Sequence, residues 1–130
     1  MKILTILCSL FCIAGFAQTC DLTSKKCIPC HSDIPPLHGE ELSAYCELLG
    51  NDWCVIDEHH LEKDYHFSDF VEALAFTNLI GALAEEEGHH PDILVTYGKV
   101  KIQLYTHKIN GLSESDFILA AKCDGLLNEE

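Results

Sequence analysis

Glu85, His89, His90, His107 and Asp116 fall within one short stretch of the chain, and their side chains are of the types that move protons or hold metals. Imidazole is the side chain whose ordinary pKa lies nearest neutral pH, so a group of histidines here points to proton transfer or metal ligation. Glu85 and His89 are four residues apart at the end of an expected helix, which places them on one helical face. Gly88 fits the helix stop, and Pro91 forbids its continuation. Singly, each residue reads as part of a solvated helix end; the set does not.

The elements that must position these residues are legible from periodicity and turn chemistry. Residues 40–49 read as a helix with Leu42, Tyr45, Cys46 and Leu49 on one side. Gly50, Asn51 and Asp52 form a turn. Residues 53–57 and 61–67 read as short strands around Glu58, His59 and His60. Ser68 is expected to cap a helix running to about residue 87, with Phe70, Ala73, Leu74, Thr77, Ile80, Leu83 and Ala84 at helical spacing. Residues 93–97 and 100–106 flank Gly98 and Lys99 as a hairpin. Val100, Ile102 and Leu104 alternate with Lys101, Gln103 and Tyr105, which implies one buried face. Ser113 caps a last helix over 114–127. The order α-β-β-α-β-β-α with tight turns predicts an α+β fold, an antiparallel four-stranded sheet with three helices on one face.

The spaced set Glu85, His89-His90-Pro91, Tyr97, His107 and Asp116 resembles the signature of the pterin-4a-carbinolamine dehydratases. Trp53, the run Phe67-Ser68-Asp69-Phe70 with Ala73, Ala75 and Phe76, and the stretch Asn110 to Asp116 extend the resemblance over roughly residues 20 to 127. It implies the same sheet-and-helix fold, assembled as homodimers or homotetramers. It also implies a reaction: loss of water from a 4a-hydroxytetrahydropterin to give a quinonoid dihydropterin, in tetrahydrobiopterin recycling. An acid and a base that work near neutral pH suffice. With no redox change, no cofactor is expected, and no metal.

By that resemblance His89 and His107 are the acid–base pair, and His90 positions the pterin or shares in proton transfer. Glu85 orients a histidine. Asp116 orients the site, or serves the helix N-terminus three residues after Ser113; the two roles are compatible. Trp53 forms a wall of the pterin pocket, or packs at a sheet edge. Tyr97 is expected to be structural, and Glu86 and Glu87 to be a solvated face. Rival readings are a zinc enzyme using Glu85, His89 and His107, and a noncatalytic pterin-binding, oligomerisation or coactivator module. Some animal relatives partner homeodomain transcription factors. A functional link to an aromatic amino acid hydroxylase is the natural partnership for the dehydratase reading.

Composition bounds the rest. A net charge of −13, eight lysines and no arginine give no basic stripe, which argues against nucleic-acid binding. The 48% hydrophobic content is enough for a packed core. The apolar run after Met1-Lys2, ending in Gly15-Phe16-Ala17, predicts a signal peptide over residues 1–17 and export, with no membrane association after its removal. The alternative is the cytoplasm, as in most of the family. A cysteine-containing arm, residues 18–36, then leads into the dehydratase-like domain, 37–130. Six cysteines beyond the leader allow 15 pairings. Cys27-Ile28-Pro29-Cys30-His31 has the form of a c-type haem attachment site, but no haem-pocket helix or axial methionine accompanies it. A local disulfide or free thiols is the expectation there.

Overall fold

The computed structural model describes residues 21–29 and 33–128. The leader expected at residues 1–17, and Cys30 and His31 of the C-x-x-C-H motif, lie outside them. Helix α1 is Gly39–Leu49, strand β1 Cys54–Ile56, β2 His60–His66, α2 Phe70–Glu87, β3 Asp92–Thr96, β4 Lys99–Leu104 and α3 Glu114–Gly125. The order is the expected α-β-β-α-β-β-α. Short 3₁₀ turns at Leu22–Ser24 and His107–Ile109 are additional.

The four strands form one antiparallel sheet in the order β1-β2-β4-β3. Its register pairs like with like on the inner face: Leu61 opposite Leu104, Tyr65 opposite Val100, Ile93 opposite Ile102. Val100, Ile102 and Leu104 are fully buried, as their alternation requires. The outer face carries Glu62, Asp64, Lys99, Lys101 and Gln103, joined by ion pairs and hydrogen bonds.

One inner position breaks the pattern. Lys63 lies on the inner face, and its charge is met by Asp124 of α3 at 2.7 Å and by the Trp53 and Tyr65 rings. Trp53 itself donates its indole N–H to Asp124 Oδ2 at 3.1 Å and packs edge-on against Tyr65.

Helix α2 buries Ala73, Phe76, Ile80 and Ala84. That stripe differs from the expected one. Phe70 and Leu74 are exposed, with Val71 and Leu79. The helix is apolar almost all round, so periodicity alone did not single out the core face. Its cap is Asp69, not Ser68: the Asp69 carboxylate accepts from Glu72 N–H at 2.9 Å, while Ser68 N–H and Oγ both donate back to Glu72. Both residues can cap; Asp69 is the one whose extended backbone precedes the first helical turn.

The described part of the N-terminal arm is a strap laid across the helices. Leu22 is buried in the core, Lys25 pairs with Glu114, and Cys27 N–H donates to Glu87 at 2.9 Å. Glu87 is therefore not on a solvated face. Its side chain is 2% exposed and also meets Lys122. Glu86 is solvent-exposed as expected. Among the described residues Cys27, Cys46, Cys54 and Cys123 are free thiols.

Candidate active site

Two elements that end close together build the site. Helix α2 stops at Gly88, whose φ of 64° is left-handed and costs glycine little. The N–H groups of Gly88 and His89 both close on the Ala84 carbonyl. Beyond this stop the chain is no longer helical, and Pro91 holds it so. The helical face shared by Glu85 and His89 is thereby broken. His89 turns inward and is 6% exposed, while the His90 side chain remains 59% exposed.

His89 Nε2 meets Asp116 Oδ1 at 2.6 Å. An ionised carboxylate only accepts, so the imidazole is the donor. Asp116 is fully buried in the first turn of α3. Its other oxygen accepts from the Ser113 N–H at 2.8 Å and from the Thr106 hydroxyl at 2.9 Å. One carboxylate thus contacts both the helix N-terminus and the histidine. Burial of a charge is tolerable here because each oxygen is hydrogen-bonded.

The end of β4 supplies the facing side. Residues 105–107 continue the strand's alternation: Tyr105 and His107 point one way, and Thr106, 2% exposed, points inward to Asp116. The Tyr105 and His107 rings lie 4.2 Å apart between centroids. Tyr105 in turn touches the His59 ring, whose Nε2 is 3.1 Å from Asn110 Oδ1. The short loop is closed by a bond from Thr106 N–H to the Gly111 carbonyl at 2.8 Å. A Cβ at Gly111 would lie 2.8 Å from Pro36 Cβ, so this close approach requires glycine.

Pro29, Gly88, His89, His90, His107 and Lys108 line an open cleft of about 300 Å³. All three predicted histidines meet there. The histidine that Glu85 contacts is His90: Oε1 lies 2.9 Å from His90 Nε2 in an exposed pair. Trp53 is not among the cleft-lining residues; it sits in the Asp124–Lys63–Tyr65 cluster. Tyr97 is in the exposed β3–β4 turn. Among the described residues no group of three or more His, Cys, Asp or Glu is arranged to hold a metal ion, so Glu85, His89 and His107 form no such set.

Sequence reasoning missed Thr106, Tyr105 and Pro29. Tyr105 had a signal, since it stands two residues before His107 on a strand and shares its side. Pro29 had none, because its contact depends on where the strap docks.

Comparison with known proteins agrees with this geometry. The family model described as pterin 4 alpha carbinolamine dehydratase matches residues 35–126. A protein of Alkaliphilus metalliredigens, provisionally named a pterin-4-alpha-carbinolamine dehydratase, is 58% identical over 80% of this chain and 94% of its own. One of Rickettsia bellii with the same provisional name is 50% identical over 85% and 97%. Among solved structures, a transcriptional coactivator/pterin dehydratase from Brucella melitensis superposes with a TM-score of 0.65 at 28% identity, covering 70% of this chain and 97% of that one. A pterin dehydratase-like protein identified as a RuBisCO assembly factor in the alpha-carboxysome gives a TM-score of 0.52 at 26% identity, over 63% of this chain and 96% of that one. The fold, the family match and the identity to these relatives lead to one conclusion: the chain belongs to the pterin-4-alpha-carbinolamine dehydratase family.

Proposed function

We propose that the protein dehydrates a 4a-hydroxytetrahydropterin to the quinonoid dihydropterin. The observation that carries this reading is the buried His89–Asp116 pair opening on a cleft that His90 and His107 also line. The elimination breaks the C4a–O bond and forms the C4a=N5 bond. The leaving hydroxyl takes a proton and departs as water, the N5 lone pair stabilises the developing cation, and the N5 proton goes to a base. Nothing is oxidised or reduced.

His89 and His107 are the acid–base pair in this reading. Asp116 holds His89 in place through Nε2. His107 stands on the exposed side of the cleft against Tyr105, where substrate and water can reach it. His90, oriented by Glu85, contributes to binding the pterin. The deciding experiment is a carbinolamine dehydration assay on purified protein, read as formation of quinonoid dihydropterin above the uncatalysed rate. Absence of any acceleration would defeat the reading.

The protein acts as a homo-oligomer in this proposal. Val71, Leu74 and Leu79 leave an exposed apolar face along α2, which a second copy would cover.

A further inference from the structure

Residues 21–29 of the strap lie outside the segment that the family model matches, yet Pro29 lines the histidine cleft. Its attachments are specific. Ile28 N–H donates to Ser115 Oγ at 3.0 Å, and Ser115 Oγ donates to the Ile28 carbonyl at 3.3 Å. The Cys27 thiol donates to the Ser115 carbonyl at 3.4 Å, and Cys27 N–H to Glu87 Oε2 at 2.9 Å.

These anchors are close neighbours of the proton-transfer pair. Ser115 directly precedes Asp116, and Glu87 stands two residues before His89. The strap is thus fastened to the last residue of α2 and to the first turn of α3, the two places from which the pair projects. Pro29 follows the last anchored residue and is the strap's contribution to the cleft lining. Among the described residues that line the cleft it is the one with an apolar side chain beside a glycine, three histidines and a lysine. A flat pterin needs such a surface as well as polar groups.

The Cys27 thiol is a poor candidate for a redox control of this strap. Burial, and then the Glu87 carboxylate, push its pKa up to about 12, so it carries little thiolate at neutral pH. Its part is mechanical.

We propose that Pro29 is a substrate-binding residue, the wall against which the pterin ring rests, with Ser115 and Glu87 as positioning residues that hold it there through the strap. This rests on the dehydratase reading given above. The test is steady-state kinetics on full-length Pro29→Gly and Pro29→Val, each first shown to match the wild-type melting temperature within a few degrees. Pro29→Gly should raise KM about threefold to tenfold and lower kcat far less, the pattern of lost uniform binding. Pro29→Val, which restores apolar bulk, should recover most of the KM.

Binding of biopterin, which has the ring system but no 4a-hydroxyl, provides a second readout, and its Kd should follow KM across the variants. An unchanged KM and Kd in Pro29→Gly would overturn the proposal while leaving the dehydratase reading intact. So would a defect confined to kcat, or one that valine fails to repair. A wild-type protein that neither accelerates dehydration nor binds biopterin would overturn both.

Discussion

The bond from His89 Nε2 to Asp116 Oδ1, 2.6 Å long, joins the end of α2 to the first turn of α3. It spans residues 27 apart in sequence and lies wholly inside the protein. Asp116→Asn keeps the shape of the side chain but removes the charge. It should lower kcat by roughly 10²-fold, the scale of a general acid–base contribution. It should also lower the melting temperature, since the Ser113 and Thr106 bonds weaken together. A fully active, folded Asp116→Asn protein would remove Asp116 from the mechanism.

The histidines should separate by role. His89→Ala and His107→Ala are each expected to slow dehydration by roughly 10²-fold or more. His90→Ala should act mainly through KM, because its side chain is exposed and paired with Glu85 at the surface. Glu85→Gln should change stability by less than about 1 kcal/mol, as for exposed pairs generally. The measurement is kcat and KM for each variant alongside its circular dichroism. Near-normal turnover by a folded His89→Ala, His107→Ala double variant would refute the acid–base assignment.

Trp53 is expected to matter for stability more than for binding. Trp53→Phe loses the indole N–H bond to Asp124 and leaves part of the Lys63 cluster unpaired, a cost of about 1–2 kcal/mol. Chemical denaturation should report this loss with KM nearly unchanged. A large KM increase without destabilisation would instead place the indole against the pterin.

Acid should loosen the strap. Burial alone would raise the Glu87 carboxyl, but the Cys27 N–H and Lys122 outweigh it and hold the group below its ordinary 4.5. A carboxylate with a lowered folded value stabilises the fold above its unfolded pKa, and that contribution is lost as pH falls through the folded value. Stability should therefore decline as pH drops below the ordinary carboxylate range. Glu87→Gln should be less stable at neutral pH by about 1–3 kcal/mol and show a smaller decline on acidification. Identical acid profiles for the two proteins would contradict this account.

The exposed apolar face of α2 leads to a prediction about assembly. Light scattering should give the wild type a mass above that of one chain, and Val71→Asp with Leu74→Asp should bring it down to a monomer. A wild-type monomer at micromolar concentration would remove self-association from the proposed function.

The sheet was readable because its strands alternate: Val100, Ile102 and Leu104 can face only one way. The helix ends were readable from Gly88, Pro91 and Ser113. What stayed hidden had physical causes. Helix α2 is apolar on several faces, so its buried stripe was settled by the sheet it covers and not by its own period. Glu85 was matched to His89 by helical spacing, but the left-handed turn at Gly88 ends that spacing one residue too early. Glu87 looked like a solvated glutamate beside Glu86, but the strap packs on it. The partners of Asp116 lie on separate elements, beyond the reach of any local pattern.

The alternation at Tyr105, Thr106 and His107 also bears on how this gene can change in length. Loss or gain of one codon within β4 would swap the two sides of the sheet for the extended residues that follow it. Thr106 would leave Asp116, and His107 would leave the cleft, in a single event. The β1–β2 turn is constrained as well: Asp57 and Glu58 both hold left-handed backbone, with φ of 52° and 51°, and the length of the turn fixes the register of β1 on β2. Insertions and deletions should therefore be excluded from the strand that ends in the site.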